Sequence, residues 1–88
     1  MTITQLKYVL AVAEYKNFTL AADKCFVTQP TLSMQIQKIE EELNIQIFDR
    51  TKKPIQLTDI GQKIVTQAKS IVNEADRIQD IVEQQKGF

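Results

Sequence analysis

Apolar side chains recur every three or four residues along most of the chain, which is the spacing of one face of an α-helix. The first such stretch, residues 3–15, has apolar positions at Leu6, Val9, Leu10 and Ala13. A threonine at position 2 or 4 stands where a hydroxyl can cap the first turn. We therefore predict a first helix over residues 3–15.

A shorter second helix is predicted from an N-cap at Thr19 to about Phe26, with Leu20, Ala21 and Cys25 buried. Cys25 allows two interpretations, a small apolar core residue or a redox-active thiol. Its position on the core side of this helix favours the core residue.

The third helix begins with Thr28 as its cap, because proline is tolerated in a first turn whose N–H groups are unpaired anyway. Its core stripe is predicted to consist of Leu32, Ile36, Ile39 and Leu43. Asn44 can adopt the left-handed conformation that ends a helix. The opposite face is polar.

Two short strands are predicted after this helix. Apolar residues at 45, 47 and 48 and again at 55 and 57 enclose a polar, basic segment.

The last helix is predicted to begin after a Thr58 cap and to continue without proline to Lys86. Its length is about 28 residues, or roughly 42 Å. Apolar residues recur every seven positions, which is typical of a helix that pairs with a second copy. The predicted dimer contacts are Ile64, Ala68, Ile71, Ala75, Ile78 and Val82. The alternative is a helix that lies on its own domain, since Val65 and Val72 widen the apolar stripe.

Composition excludes several classes of function. The chain has 88 residues, enough for one small domain, with a single cysteine and no histidine. A zinc cluster or a histidine-based catalytic site therefore cannot form, and no Gly-rich phosphate loop is present. We expect no enzyme activity and no cofactor. The chain also lacks an apolar run of membrane-spanning length and a signal peptide, so a cytoplasmic protein is expected.

The net charge is zero, which by itself disfavours a nucleic-acid-binding protein. The distribution of charge favours one, because residues 16–38 carry +2 and residues 49–69 carry +3. These two blocks contain the third helix and the basic segment between the strands.

Two helices joined by a tight turn, with a polar face on the second, form the shape that enters the major groove of DNA. The predicted contacts on this helix are Thr28, Gln29, Pro30, Thr31, Ser33, Met34, Gln35, Gln37 and Lys38. The alternative is an ordinary solvated helix face. The basic turn that follows, Arg50, Thr51, Lys52 and Lys53, favours DNA binding, because a wing arginine can lie in the minor groove.

The residues resemble the LysR-type transcriptional regulators, through Phe18, Ala21-Ala22, Gln29-Pro30, Leu32-Ser33, Ile36, Glu40, Leu43, Phe48, Arg50, Leu57-Thr58 and Gly61. Within that family they are most similar to the peroxide-sensing OxyR group. The resemblance implies a mostly α fold: a winged helix-turn-helix of three helices and a two-stranded wing, followed by a long dimerisation helix. It also implies a C-terminal effector-binding domain, absent from this chain, that holds the reactive cysteines.

The resemblance assigns base and phosphate contacts to the same face of the third helix, ending at Gln37 or Lys38, and places Arg50 in the wing. Departures from the family pattern are Cys25, Asn44, Lys53 and Ile60. Only Lys53 bears on function, because it replaces an arginine and lacks the planar guanidinium fork.

The sequence thus predicts a DNA-binding domain over residues 1–57 and a dimerisation helix over residues 58–88. A dimer would present two such domains to a partly palindromic promoter site, similar to the family's box of a T and an A separated by eleven bases. Tetramers of the full-length protein are compatible with this arrangement. The alternative function is a winged-helix module that dimerises but binds protein instead of DNA.

Overall fold

A computed structural model describes residues 1–87 of the chain. Its elements are, in order, α1 (Ile3–Tyr15), α2 (Phe18–Lys24), α3 (Gln29–Leu43), β1 (Phe48–Asp49), β2 (Gln56–Leu57) and α4 (Asp59–Lys86). The two strands are antiparallel and pair Phe48 with Leu57. The predicted fold class is confirmed. Phe88, the last residue of the predicted segment 58–88, lies outside the described residues.

The helix starts follow from side-chain caps. The Thr2 hydroxyl accepts a hydrogen bond from the Gln5 N–H at 3.0 Å, and the Gln5 side chain accepts one from the Thr2 N–H at 3.0 Å. Thr2, not Thr4, therefore caps α1. Thr28 caps α3 as predicted, by accepting from the Thr31 N–H at 3.3 Å.

The prediction for α2 was wrong by two residues at its start, and the helix ends at Lys24 instead of at about Phe26. The Asn17 carboxamide accepts from the Leu20 N–H at 2.8 Å and takes the capping role expected of Thr19. In the resulting helix Ala21 and Ala22 are the buried residues, and Leu20 is 40% exposed. Cys25, at the C-cap, is partly buried against the core.

The core joins all four helices and the sheet. Val9 of α1, Ile36 and Ile39 of α3, and Ile47 just before β1 are fully buried. The T-shaped contact of Phe18 with Phe48, whose ring centroids are 6.0 Å apart, extends this packing to the start of α2. The core therefore fixes α3 and the sheet relative to each other.

Helix α4 begins against the segment that leads into β1. The Thr58 hydroxyl accepts from the Gly61 N–H at 2.9 Å and donates to the Gln46 carbonyl oxygen at 2.6 Å. A Cβ atom on Gly61 would lie 2.0 Å from the Ile47 carbonyl oxygen. Only glycine lets the two backbones approach this closely.

Helix α4 packs on its own domain mainly in its first half, and its last contact with α1 is the ion pair of Asp76 with Lys7. Val65, Ala68 and Val72 are buried, whereas Ile78 is 66% and Val82 38% exposed. The prediction of Ala68 as a dimer contact is corrected, because Ala68 is 1% exposed within the single chain and has no surface left for a partner. One hydrophobic core includes residues on both sides of the boundary predicted at residue 57. That boundary therefore separates the proposed DNA-binding and dimerisation segments and does not separate two cores.

Within residues 1–87, none of the helices combines the length and apolar character that a membrane crossing requires.

Candidate nucleic-acid interface

The N-terminal half of α3 projects a polar surface away from the core. Its buried face is Leu32, Ile36 and Ile39. On the other side the exposed residues are Gln29, Pro30, Thr31, Met34, Gln37 and Lys38, and Ser33 and Gln35 are partly buried at the edges. The nine predicted contact residues thus lie at or near one surface, which begins at the Thr28 cap.

Local hydrogen bonds order the start of this surface. The Gln29 amide donates to the Ser33 hydroxyl at 2.6 Å, and the Thr28 hydroxyl donates to the Thr31 hydroxyl at 2.9 Å. These bonds fix side-chain positions in the first turn, where unpaired N–H groups also favour a phosphate. The surface therefore offers donors and acceptors that are partly preorganised.

Gln35 has a different role from its neighbours. Its side-chain oxygen accepts a hydrogen bond from the Gln5 amide at 3.0 Å, and Gln5 is itself buried and bonded to Thr2. Gln35 is therefore held toward α1, and this bond uses one of the two acceptor sites of its side-chain oxygen.

The C-terminal part of α3 is acidic. Glu41 and Glu42 are exposed, and the Glu42 carboxylate forms an ion pair of 2.7 Å with the N-terminal amino group of Met1. Because negative charge repels phosphates, Lys38 marks the end of the surface that suits a nucleic acid.

Glu40 is buried and links α3 to the sheet, a role that the sequence analysis missed. Its carboxylate accepts from the Ile47 N–H at 2.7 Å and from the Phe48 N–H at 3.3 Å. The Arg50 guanidinium lies 3.1 Å from its other oxygen and also contacts the face of the Phe18 ring, with its carbon 5.1 Å from the centroid.

The position of Glu40 in the sequence contained a signal for this role. It follows Ile36 by four residues and precedes Leu43 by three, so it lies on the core stripe. Arg50 was predicted as a wing contact in the minor groove. In the structure its guanidinium is occupied by Glu40, and it contacts Gln46 at 3.4 Å.

The turn between β1 and β2 leaves two lysines available. Lys52 and Lys53 are exposed, and neither forms an ion pair in the part of the chain that the structure describes. Thr51 instead donates hydrogen bonds to Asp49 from its hydroxyl and its N–H, and these hold the pKa of Asp49 below its usual value. The wing thus exposes the ammonium groups of Lys52 and Lys53 on a turn that the Thr51–Asp49 hydrogen bonds hold in place.

Cys25 lies between α2 and α3, and burial raises the pKa of its thiol. A raised pKa keeps the thiol protonated and slow to react at neutral pH. We expect an alkylating reagent at pH 7 to label Cys25 several-fold more slowly in the folded chain than in denaturant, as measured by mass spectrometry. Equal rates would contradict a packed thiol.

Comparison with known proteins supports one family. Residues 3–62 match the bacterial regulatory helix-turn-helix proteins of the lysR family. The chain is 40% identical over 85 residues to the DNA-binding transcriptional dual regulator OxyR of Escherichia coli (strain K12), covering 97% of this chain and 28% of that protein. The chain therefore spans about a quarter of the length of the curated relatives it matches.

Solved structures agree with this match. The BenM DNA-binding domain in complex with catB site 1 DNA superposes with a TM-score of 0.91 at 36% identity, covering 98% of this chain and 92% of that one. Full-length OxyR from Pseudomonas aeruginosa superposes with a TM-score of 0.90 at 40% identity, covering 99% of this chain and 29% of that one. Sequence and structure together show that the chain belongs to the lysR family of bacterial regulatory helix-turn-helix proteins.

Proposed function

We propose that this chain binds double-stranded DNA sequence-specifically, as part of a transcription regulator, with the N-terminal half of α3 in the major groove. The observation that carries the proposal is the exposed, hydrogen-bonding surface from Thr28 to Lys38 on a helix fixed by the core. Glutamine can bind adenine through two hydrogen bonds, and serine and threonine reach phosphates or base edges. The BenM domain, which has this fold, is described in complex with DNA.

The wing contributes mainly through Lys52 and Lys53, whose ammonium groups are free of carboxylate partners among residues 1–87. They would neutralise backbone phosphates or enter the minor groove beside the site. Arg50 supports this contact indirectly, since it ties the base of the wing to Glu40 of α3.

The protein is proposed to act as a homodimer through the part of α4 that its own domain leaves uncovered. Ile78 and Val82 are exposed there, and Ile64, Ile71 and Ala75 are partly exposed along the same stripe. Two copies would present two α3 helices to the halves of a partly palindromic site.

The whole regulator is proposed to act on the chromosome in the cytoplasm, and to bind rather than catalyse. The segment described here supplies DNA recognition and pairing. The chain is 40% identical to OxyR over 85 residues and 40% identical to BenM of Acinetobacter baylyi over 78 residues, so the match to OxyR covers more of the chain and supports the predicted similarity to the OxyR group. We place detection of the signal outside this segment, because its single cysteine, Cys25, is packed against the core and burial raises the pKa of its thiol.

Gln29→Ala tests the groove contact. Loss of a bidentate base contact is expected to weaken binding of a specific duplex by about 10- to 100-fold while binding of a scrambled duplex changes little. Fluorescence anisotropy at several salt concentrations measures both affinities, with one labelled duplex that carries a T and an A separated by eleven bases and one in which that sequence is scrambled. Gln67→Ala, an exposed glutamine on α4, is the matched control and should leave both unchanged.

The same titration separates DNA binding from the protein-interaction alternative. Wild-type affinity should fall steeply with salt, because several phosphate contacts release counterions. A folded dimer without affinity for either duplex at low salt would contradict the proposal and favour an interaction module.

Ile78→Ser tests the dimer contact. Removing a large apolar side chain from the exposed part of the pairing stripe is expected to weaken the dimer by about 10-fold or more. Sedimentation velocity over a concentration series measures the monomer–dimer equilibrium. Ile60→Ser, at an exposed apolar position in the first turn of α4, should leave that equilibrium unchanged. Equal dimer dissociation constants for Ile78→Ser and Ile60→Ser would exclude the exposed face of α4 as the dimer interface.

A further inference from the structure

Phe26, in the turn between α2 and α3, is the most exposed large apolar residue in the part of the chain described, at 95%. Its ring covers no part of the core. A single exposed apolar side chain is common on protein surfaces. What distinguishes Phe26 is that its backbone is also in an unfavourable conformation.

The φ angle of Phe26 is +59°, in the left-handed region. For a residue with a bulky side chain this conformation is uncommon, and glycine or asparagine adopts it at lower cost. The conformation is needed by the turn, whose N–H groups at 26 and 27 donate to the carbonyl oxygens of Asp23 and Ala22 at 3.2 and 3.0 Å. The turn thus requires the angle but not the phenyl ring.

The location of the ring is continuous with the proposed DNA surface. Phe26 precedes the Thr28 cap by two residues, so its Cα lies within about 7 Å of the first residue of that surface. A helix whose N-terminal half enters the major groove brings the preceding turn to the sugar-phosphate strand at the edge of the groove. That strand presents apolar deoxyribose carbons as well as phosphates.

We propose that the Phe26 ring packs against a deoxyribose of the DNA backbone when α3 enters the groove. The inference rests on the proposed DNA binding. An apolar contact with a sugar carries no base information, so it adds affinity for every duplex without selecting a sequence. It also involves no charge, so it adds affinity that salt does not screen.

Phe26→Gly removes the ring and relaxes the backbone, and Phe26→Tyr keeps the ring. The glycine variant is expected to bind both the specific and the scrambled duplex about 5-fold more weakly, which corresponds to losing the burial of part of a phenyl ring. The slope of affinity against salt should stay that of the wild type, and the melting temperature should not fall. The tyrosine variant should bind like the wild type.

The control is Ile3→Ala, another exposed apolar residue, at the start of α1. The neighbouring Met1 amino group contacts Glu42, which places this position beside the opposite end of α3. The affinity of Ile3→Ala for both duplexes should equal that of the wild type.

Unchanged affinity of Phe26→Gly, or a loss accompanied by a lower melting temperature, would overturn the sugar contact while the proposed function stands. A loss confined to the specific duplex would overturn it in favour of a base contact. Absence of binding by the wild type would overturn both.

Discussion

Glu40→Ala is expected to lower the free energy of unfolding by about 3 kcal/mol, because the carboxylate is buried and both of its oxygens have hydrogen-bond or ion-pair partners. Its removal leaves the N–H groups of Ile47 and Phe48 without an acceptor and the Arg50 guanidinium without its partner. Arg50 remains partly in water, which keeps the expected loss at the low end for a broken buried pair. Urea unfolding followed by circular dichroism measures the change.

Glu41→Ala is the matched control, because Glu41 is the next residue on α3 and is exposed. It should change stability by no more than about 0.5 kcal/mol. Glu40→Gln keeps an acceptor for the N–H groups but loses the charge, so an intermediate loss is expected. A Glu40→Ala variant as stable as the control would show that the link between α3 and the sheet is energetically unimportant.

Gly61→Ala should destabilise the protein by about 3 kcal/mol, although the substitution lies inside a helix. Helix propensity alone predicts a gain of about 1 kcal/mol for replacing glycine by alanine. The new methyl group, however, would lie 2.0 Å from the Ile47 carbonyl oxygen and 2.9 Å from the Thr58 hydroxyl oxygen. Relief requires moving the start of α4 away from the sheet, with loss of the Thr58 cap.

Ser70→Ala provides the comparison, because Ser70 is exposed in the same helix and the product is the same residue. It is expected to be neutral or stabilising by up to about 0.5 kcal/mol. Thermal unfolding monitored at 222 nm distinguishes the two signs. Stabilisation by both substitutions would mean that α4 can move away from Ile47 at little cost.

The helices were predictable because periodicity and caps agree in them. Thr28 followed by a glutamine and a proline defines the start of α3 without tertiary information. For α2 two capping residues lie two positions apart, and local sequence does not choose between Asn17 and Thr19. In the structure Asn17 is the cap, and the next residue, Phe18, packs its ring against Phe48, a contact that the local sequence does not show.

Two features of the site depend on tertiary contacts. Glu40 stands in a run of three glutamates that resembles a solvated acidic face, and its burial depends on backbone N–H groups that lie seven and eight residues further along the chain. Ala68 belongs both to the heptad repeat and to the stripe that packs on α1 and the sheet. Periodicity shows that such a residue faces something apolar and does not show whether that surface belongs to its own chain.

Because the domain buries the first half of α4 and leaves its distal part exposed, hydrogen exchange along this one helix can report whether two copies of the chain associate. Backbone amides near Val65 and Ala68 are shielded by the domain and should exchange with deuterium only when the domain opens. Amides beyond Asp76, the last residue of α4 with an ion pair to α1, have little besides the helix itself to protect them in a single copy, and isolated helical turns fray readily. Protection of that distal segment should therefore rise with protein concentration while the proximal half stays constant, so hydrogen exchange would detect pairing within a single peptide chain.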